Sequence, residues 1–424
     1  MIRFLLKGLL RDSSRSFFPI LIVTIGVALT VLLHAWMQGA MGDISRSSAN
    51  FSTGHVKIMS RAYAENQSQS PNDLALMGVN ELTTKLKQQY PGMNWVSRIR
   101  FGGLLDVPDE NGETRSQGPA TGLAVDLLSP GSSELATLNI KKSIVRGVLP
   151  SKSGEILVSD EFATKLKVNL GDSVTLMSST MYGSMSMHNF VVVGTVRFGI
   201  NAMDKGAVLV DITDIRQALD MDNATGELLG YFRDGIYHRQ LASEIKDKFN
   251  MGYADSKDDY APTMITLAEQ DGLGEYLVFA DYVAFIMSAI FVFAMSIVLW
   301  NVGLIGGLRR YGEMGLRLAL GEDKWHVYGS LIIESVIIGF LGSCIGTAIG
   351  LVFAYYMQIH GIDIGSMAKN SSMMMSNVMR AHISTTTYYI GFFPGLLSTV
   401  FGAILAGTGV LQRQTAQLFK ELDA

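Results

Sequence analysis

The residues able to do chemistry in this 424-residue chain are dispersed rather than grouped. The seven histidines (His34, His55, His188, His238, His326, His360 and His382) stand far apart, and Cys344 is the single cysteine. An intrachain disulfide is therefore impossible, and no thiolate metal site can be assembled. The chain lacks G-x-x-x-x-G-K-[ST], which cradles nucleotide phosphates, and also lacks H-E-x-x-H and G-x-S-x-G. We therefore assign no catalytic and no metal-binding residue from sequence. A formal net charge of −4 gives no basic footprint for nucleic acid.

Two stretches carry a different kind of signal. Leu308 to Gly321 reads L-R-R-Y-G-E-M-G-L-R-L-A-L-G. As a helix it gathers Leu308, Met314, Gly315, Leu316 and Leu320 on an apolar side, with the charges elsewhere. Glu313 stands four residues before Arg317, the favourable order for an intrahelical ion pair. Such a helix can dock on another protein or lie in a membrane interface, and its residues alone leave both readings open. The second stretch, Ser178 to His188, has no formal charge and presents Met181, Tyr182, Met185 and Met187 among small polar residues. A turn shaped only by solubility carries more charge, Asn or Asp, whereas methionine grips varied apolar partners. Contact with a partner and folding back on the domain core are its two readings.

Both stretches need a scaffold. The chain is 48% hydrophobic and only 17% charged, below the roughly one-quarter charge of soluble domains. Most acidic residues fall between Gly42 and Asp281, and the apolar residues collect in long runs. A helical span needs about 20 apolar residues. The runs predict four transmembrane α-helices at residues 17–38, 276–305, 328–357 and 388–411. Arg3, Lys7, Arg11 and Arg15 precede the first span; Arg309, Arg310, Arg317 and Lys324 lie between the second and third. The loop between the third and fourth spans has only Lys369 and Arg380. The positive-inside rule then puts residues 1–16, 306–327 and 412–424 in the cytoplasm, with 39–275 and the 358–387 loop outside.

Gly342, Gly346 and Gly350 recur every four residues in the third span, and Gly391 and Gly395 in the fourth. Small residues at that spacing let helix backbones approach in lipid. Pro394 is expected to kink the fourth span. Glu334 lies about one turn inside the third span, where a carboxylate reaches the interface, and its expected role is anchoring the preceding loop.

The 39–275 insertion alternates short strand-like runs with amphipathic helices, which predicts an α+β domain of two subdomains. Strands are expected at His55–Met59, Trp95–Val107, Thr121–Val125, Ile156–Ser159, Ala207–Val210 and Leu228–Phe232. Val174–Met177 and Phe190–Val196 should pair as a hairpin. Helices are expected at Asn80–Gln89, Glu161–Leu166, Ile212–Leu219 and Leu241–Phe249.

The loop after the second span resembles the R-R-x-E-I-G-x-R-x-A-L-G signature of the FtsX/MacB-type ABC permease superfamily. Arg309, Arg310, Glu313, Gly315, Arg317, Ala319, Leu320 and Gly321 stand in matching places. Leu331 to Ser335 is similar to that family's L-x-x-E-A/S opening of the third span. Gly154 to Leu176 resembles its G-E-I-x-[LV]…G-D-x-V-x-L stretch, and Thr53 to Ile58 is similar to a segment of lipoprotein-releasing (LolC/LolE-type) permeases. The tail Gln412 to Leu418 departs from the usual A-x-R-x-x-P-x-x-A-L by lacking the proline.

This resemblance implies a MacB-like periplasmic core domain inserted between spans one and two of an inner-membrane permease. It implies a coupling helix at Arg309, Arg310, Glu313, Gly315, Arg317 and Gly321, seated on an ATP-binding subunit that holds ATP and Mg. A dimer of permeases, identical or paralogous, would ride on a dimer of ATPases. In the lipoprotein-release reading, a periplasmic carrier meets the loop of Met181, Tyr182, Met185 and Met187. Acyl chains then lie near Val31, Leu32, Met37, Val283 and Ile286. The alternatives are MacB-like mechanotransmission with a periplasmic adaptor and FtsX-like signalling to periplasmic enzymes.

Overall fold

The structure, a computed structural model, describes residues 13–270, 273–308, 311–363 and 378–412. Arg309 and Arg310 lie outside the described residues. The chain divides into a helical unit, built from residues up to Asp43, Phe279–Ile362 and Met379 onward, and a second unit formed mainly by Ile44–Val278.

Among the described residues, four segments are long and apolar enough to cross a membrane. Helix α1 is Ser13–Ser48 and runs ten residues past the expected end of the first span. The second span belongs to a helix Leu273–Leu308, and the third to a helix Lys324–His360. The fourth starts as a tight turn at Thr385–Tyr388 and widens into a π turn at Phe393–Ser398, where Pro394 sits. It finishes as an α-helix, Thr399–Gln412. Proline removes an N–H from the ladder, and a local π turn is one way a helix absorbs that loss.

The glycine stripe of the third span fits the first span like a socket. A β-carbon added at Gly342 would stand 2.6 Å from Val23 Cγ1; at Gly346, 2.8 Å from Val27 Cβ; and at Gly350, 2.8 Å from Val31 Cβ. Val23, Val27 and Val31 are all fully buried. Gly391 of the fourth span closes on the same valines, 2.6 Å from Val27 Cγ1 and 3.1 Å from Val31 Cγ2 by the same construction. Gly26 receives Met295 and Leu299 of the second span, and Gly303 meets Gly402 of the fourth. The substitution Gly346→Leu should therefore cost about 3 kcal/mol or more through overpacking. Thermal unfolding in detergent checks this, with Gly329→Leu, where the added β-carbon meets nothing within 4 Å, expected to unfold near the parent temperature.

The second unit is organised by one ten-stranded sheet. Its strands are β1 Val56–Ser60, β2 Met93–Pro108, β3 Thr114–Val125, β4 Ile144–Gly147 and β5 Glu155–Ser159. They continue as β6 Ser173–Ser179, β7 Met185–Val196, β8 Ala207–Asp211, β9 Glu227–Phe232 and β10 Pro262–Thr266. Every strand expected above is present, and β4 and β10 are additional. The expected helices appear as α2 Val79–Gln89, α3 Asp160–Leu166, α4 Ile212–Ala218 and α5 Arg239–Met251. The long β2 does double duty: Met93–Arg98 pairs with β9, and Ile99–Pro108 pairs with β3. Pairings β2–β3, β3–β8, β8–β5, β5–β7, β7–β6 and β6–β2 then close a ring. The runs I-L-V in β5 and A-V-L-V in β8 are apolar throughout because both faces are covered. Ile156, Val158, Val208 and Val210 enter one core, and Leu157, Ala207 and Leu209 enter another.

Buried ions brace this unit around the short π-helical turn Ala49–Thr53. Arg98, fully buried, forks onto Glu134 at 2.8 and 3.1 Å and donates to the Phe51 carbonyl at 3.0 Å. Arg100 reaches Ser52 Oγ at 3.0 Å, Tyr231 Oη donates to the Ala49 carbonyl at 3.1 Å, and Gln270 donates to the Thr53 carbonyl at 3.1 Å. Lys57, also buried, pairs with Glu227 at 2.9 Å. Burial alone would raise the Glu227 pKa, but Lys57 and Arg100 hold it below the ordinary carboxylate range.

His55 is buried among Tyr231, Phe232 and Tyr237, and its Nδ1 accepts the Phe232 amide at 3.0 Å. Desolvation lowers its pKa to about 4. The unfolded chain takes up a proton near pH 6.5 while the fold resists until about 4, so the neutral ring's stabilisation is full above 6.5 and lost as pH falls. This group should remove about 3 kcal/mol between those limits. Denaturant titrations across that window check it, with His55→Asn expected to flatten the step.

Candidate functional site

Two places combine exposed apolar side chains with a rigid mounting. The first is α6, Tyr311–Ala319, between the second and third spans. Met314, Gly315 and Leu318 turn inward, with Met314 and Leu318 packing on Val327, Leu331 and Ala403. Leu316 and Leu320 are 56% and 80% exposed. The single apolar side expected from sequence is thus split, because the third span's helix covers only part of it.

The partners of Arg317 among the described residues lie beyond the end of α6: its guanidinium grips both oxygens of Glu322 at 2.6 Å and donates to Ser330 Oγ at 2.9 Å. Glu313 lies on α6, but its side chain, like Arg309 and Arg310, is outside the described residues. Hydrogen bonds from Arg317 hold the Glu322 carboxyl below its usual pKa. The turn itself is a Schellman cap: the Glu322 amide donates to the Arg317 carbonyl and the Gly321 amide to that of Leu318. Gly321 has φ +91°, and open space surrounds it, so conformation rather than crowding requires glycine there. Asp323 then caps the next helix through the Trp325 amide at 3.1 Å.

The second place is the β6–β7 hairpin, where Met177 faces Met187 and Ser179 faces Met185. Gly183, at φ +81°, shapes the turn, and the Thr180 amide donates to the Ser184 carbonyl at 2.8 Å. The tip is not loose. The Met181 amide donates to the Leu219 carbonyl at 2.9 Å, and Ser186 Oγ donates to that of Ala218, at the end of α4. Met181 is 8% exposed and belongs to the ring's core, while Tyr182, Met185 and Met187 are 72%, 71% and 62% exposed. The stretch is therefore divided: Met181 folds back on the core, as one reading expects, and the other three side chains stand in the open. Register adds two neighbours that sequence did not single out: Pro119, Leu104, Met177 and Met187 lie side by side across four strands.

The remaining sequence-selected residues are spread through the helical unit. Leu32 and Met37 of the first span and Val283 of the second are half-buried, and Ile286 is 49% exposed. Val31, expected on an acyl-facing surface, is instead fully buried between Gly350 and Gly391. Glu334 is half-buried on the third span's helix.

The family profile described as MacB-like periplasmic core domain matches residues 16–248, more than half of the chain, and that of the FtsX-like permease C-terminal matches 285–414. The chain belongs to the FtsX/MacB family of ABC-transporter permeases. Its second unit is accordingly the large extracytoplasmic, MacB-like core of mixed α/β fold. The permease is 22% identical over 212 residues to the lipoprotein-releasing system transmembrane protein LolC of Haemophilus influenzae, covering 48% of this chain and 50% of that one. It is 26% identical over 216 residues to LolC of Xylella fastidiosa, covering 49% and 50%. These alignments span about half the length of the curated relatives. The periplasmic region of MacB from Actinobacillus actinomycetemcomitans aligns with 54% of the permease and 95% of its own chain, at 11% identity and a TM-score of 0.37.

Glu322 had a faint signal in the sequence, since an Arg five residues before a Glu across a capping Gly can fold back on it, whereas Ser330 meets Arg317 only through the fold. Gly321→Val should cost the permease about 1 to 2 kcal/mol through its left-handed φ. It should also release Arg317 from Glu322; thermal unfolding and protease sensitivity of the loop measure both.

Proposed function

We propose that this permease couples ATP hydrolysis by a separate ATP-binding subunit to the extraction of lipoproteins from the inner membrane and their delivery to a soluble periplasmic carrier. The observation that carries this reading is the pinned hairpin, which presents Tyr182, Met185 and Met187 to solvent on the extracytoplasmic domain. A large exposed apolar group on a rigid mount calls for a partner, and methionines adapt to apolar ones. The LolC relatives support a lipoprotein as cargo.

In this reading both termini are cytoplasmic, as the basic flanks favour, and α6 is the coupling helix. Leu316 and Leu320 enter the ATPase, which binds ATP and Mg. The Arg317 fork to Glu322 and Ser330 makes helix and third span move as one body. A second permease completes the assembly, with acyl chains against Met37, Val283 and Ile286. The match to the MacB-like periplasmic core supports a second reading, in which the same hairpin meets an adaptor and drives export of soluble cargo.

Reconstitution with the ATPase and a triacylated lipoprotein separates the two. The triple variant Tyr182→Ser, Met185→Ser, Met187→Ser leaves the core residue Met181 in place. It should lose at least about tenfold in transfer to the carrier, the effect of removing roughly 1.4 kcal/mol of contact, while ATP hydrolysis continues. Undiminished transfer overturns the hairpin's role. Absence of any transfer by the parent protein favours the adaptor-linked exporter.

A further inference from the structure

The hairpin carries a chemistry that surface contact does not use. Met177 to His188 reads M-S-S-T-M-Y-G-S-M-S-M-H, four methionines and a histidine with no formal charge. Strand pairing sorts them. Met187 lies directly opposite Met177, and Met185, two residues back along β7, lies opposite Ser179. Side chains alternate across a strand, so Met177, Met185 and Met187 share one face of the hairpin. Met181 is in the core, and His188 falls on the other face, where its ring stands 4.9 Å from that of Phe190. Residues opposite each other have β-carbons about 5 Å apart, and those two apart on one strand about 7 Å. Three rotatable bonds in each side chain let the methionine sulfurs converge on a point between the strands. The same face holds an acid. Asp106 of β2 pairs in register with Thr175, one row from Met177, and is only 8% exposed. Its Oδ1 has no hydrogen-bond partner among the described residues. An anionic oxygen buried without a partner is costly unless a cation meets it.

We propose that Met177, Met185 and Met187 bind one soft monovalent metal ion, copper(I) or silver(I), with Asp106 balancing its charge. Thioether sulfur is neutral and polarizable, and such soft donors select copper(I), whereas hard cations take oxygen. Zinc is held by thiolate, imidazole and carboxylate, and three neutral thioethers supply none of these. Leu104 and Pro119, in the same row as Met177 and Met187, flank the sulfurs with apolar surface. The site shares Met185 and Met187 with the surface read above as the carrier's, yet it does not rest on that reading. It needs Met177 and Asp106, which the carrier surface does not include, and it has no use for Tyr182.

Silver nitrate titrated into the purified permease, in detergent and chloride-free buffer, measures the site directly. Other soft donors of the chain, Cys344 and the run Met373, Met374 and Met375, are first replaced by Ser and Leu. Calorimetry should then show one ion bound per chain, and X-ray absorption at the silver edge should show sulfur as its main neighbour. Met177→Leu, Met185→Leu and Met187→Leu keep the volume and the apolar character of the row. Each should weaken silver binding at least about tenfold, and Asp106→Asn should weaken it several-fold. Tyr182→Ser should not change it, nor should Met251→Leu, which alters an exposed methionine of α5. Unchanged affinity in the three leucine variants, or zinc bound as tightly as silver, overturns the proposal. Unchanged affinity in Asp106→Asn overturns the acid's part in it. The carrier reading is judged separately: without metal, Met177→Leu should transfer lipoprotein as the parent does, whatever its affinity for silver.

Discussion

The helical unit depends on the contact between Val23, Val27 and Val31 and the glycines at 342, 346, 350 and 391. Lipid tails are as apolar as valine, so burial gives little drive for helices to associate in a membrane. What remains is close van der Waals approach, which needs helices without β-carbons where they touch. The valines supply stiff branched knobs, each with a strongly preferred rotamer in a helix, and the glycines supply the holes. Once the first, third and fourth spans are joined this way, the second can be held by fewer contacts, at Gly26 and Gly303, and keeps most of its surface free.

The extracytoplasmic domain solves a different problem. Its turn at Ala49–Thr53 lies where a helix ladder runs out and leaves buried carbonyls in need of donors. Arg98 and Gln270 donate to those of Phe51 and Thr53, Tyr231 adds a second donor to that of Ala49, and Arg100 holds the Ser52 hydroxyl, while Glu134 and Glu227 balance the cations. Buried ions are a poor source of net stability, but breaking one partner leaves an uncompensated charge, so the arrangement resists deformation. It ties the turn firmly to the strands that carry Arg98, Arg100 and Tyr231.

Local signals served well wherever the relevant neighbour is near in sequence. The strand-to-helix steps at Ser159–Asp160 and Asp211–Ile212 and the methionine hairpin follow from periodicity and turn residues. Sequence missed β4 and β10, four and five residues long, because each is short and lies at the sheet's edge. It also did not single out Glu322, which the Schellman turn at Gly321 brings back to the Arg317 guanidinium and which holds it with both oxygens.

The sequence by itself determined the four apolar helices, the inserted α+β domain, the glycine stripe and the absence of a phosphate-cradling motif. Each is a matter of residue type at fixed local spacing, set by helix rise, strand alternation and hydrocarbon thickness. Only the tertiary structure decided that Val31 packs inside the bundle, that Met181 belongs to the core while Met185 and Met187 do not, and that Leu104 and Pro119 extend the methionine row. Those outcomes turn on which distant strand or helix lies across from a residue. Register and helix facing are chosen by the whole packed arrangement, and no single segment carries that information.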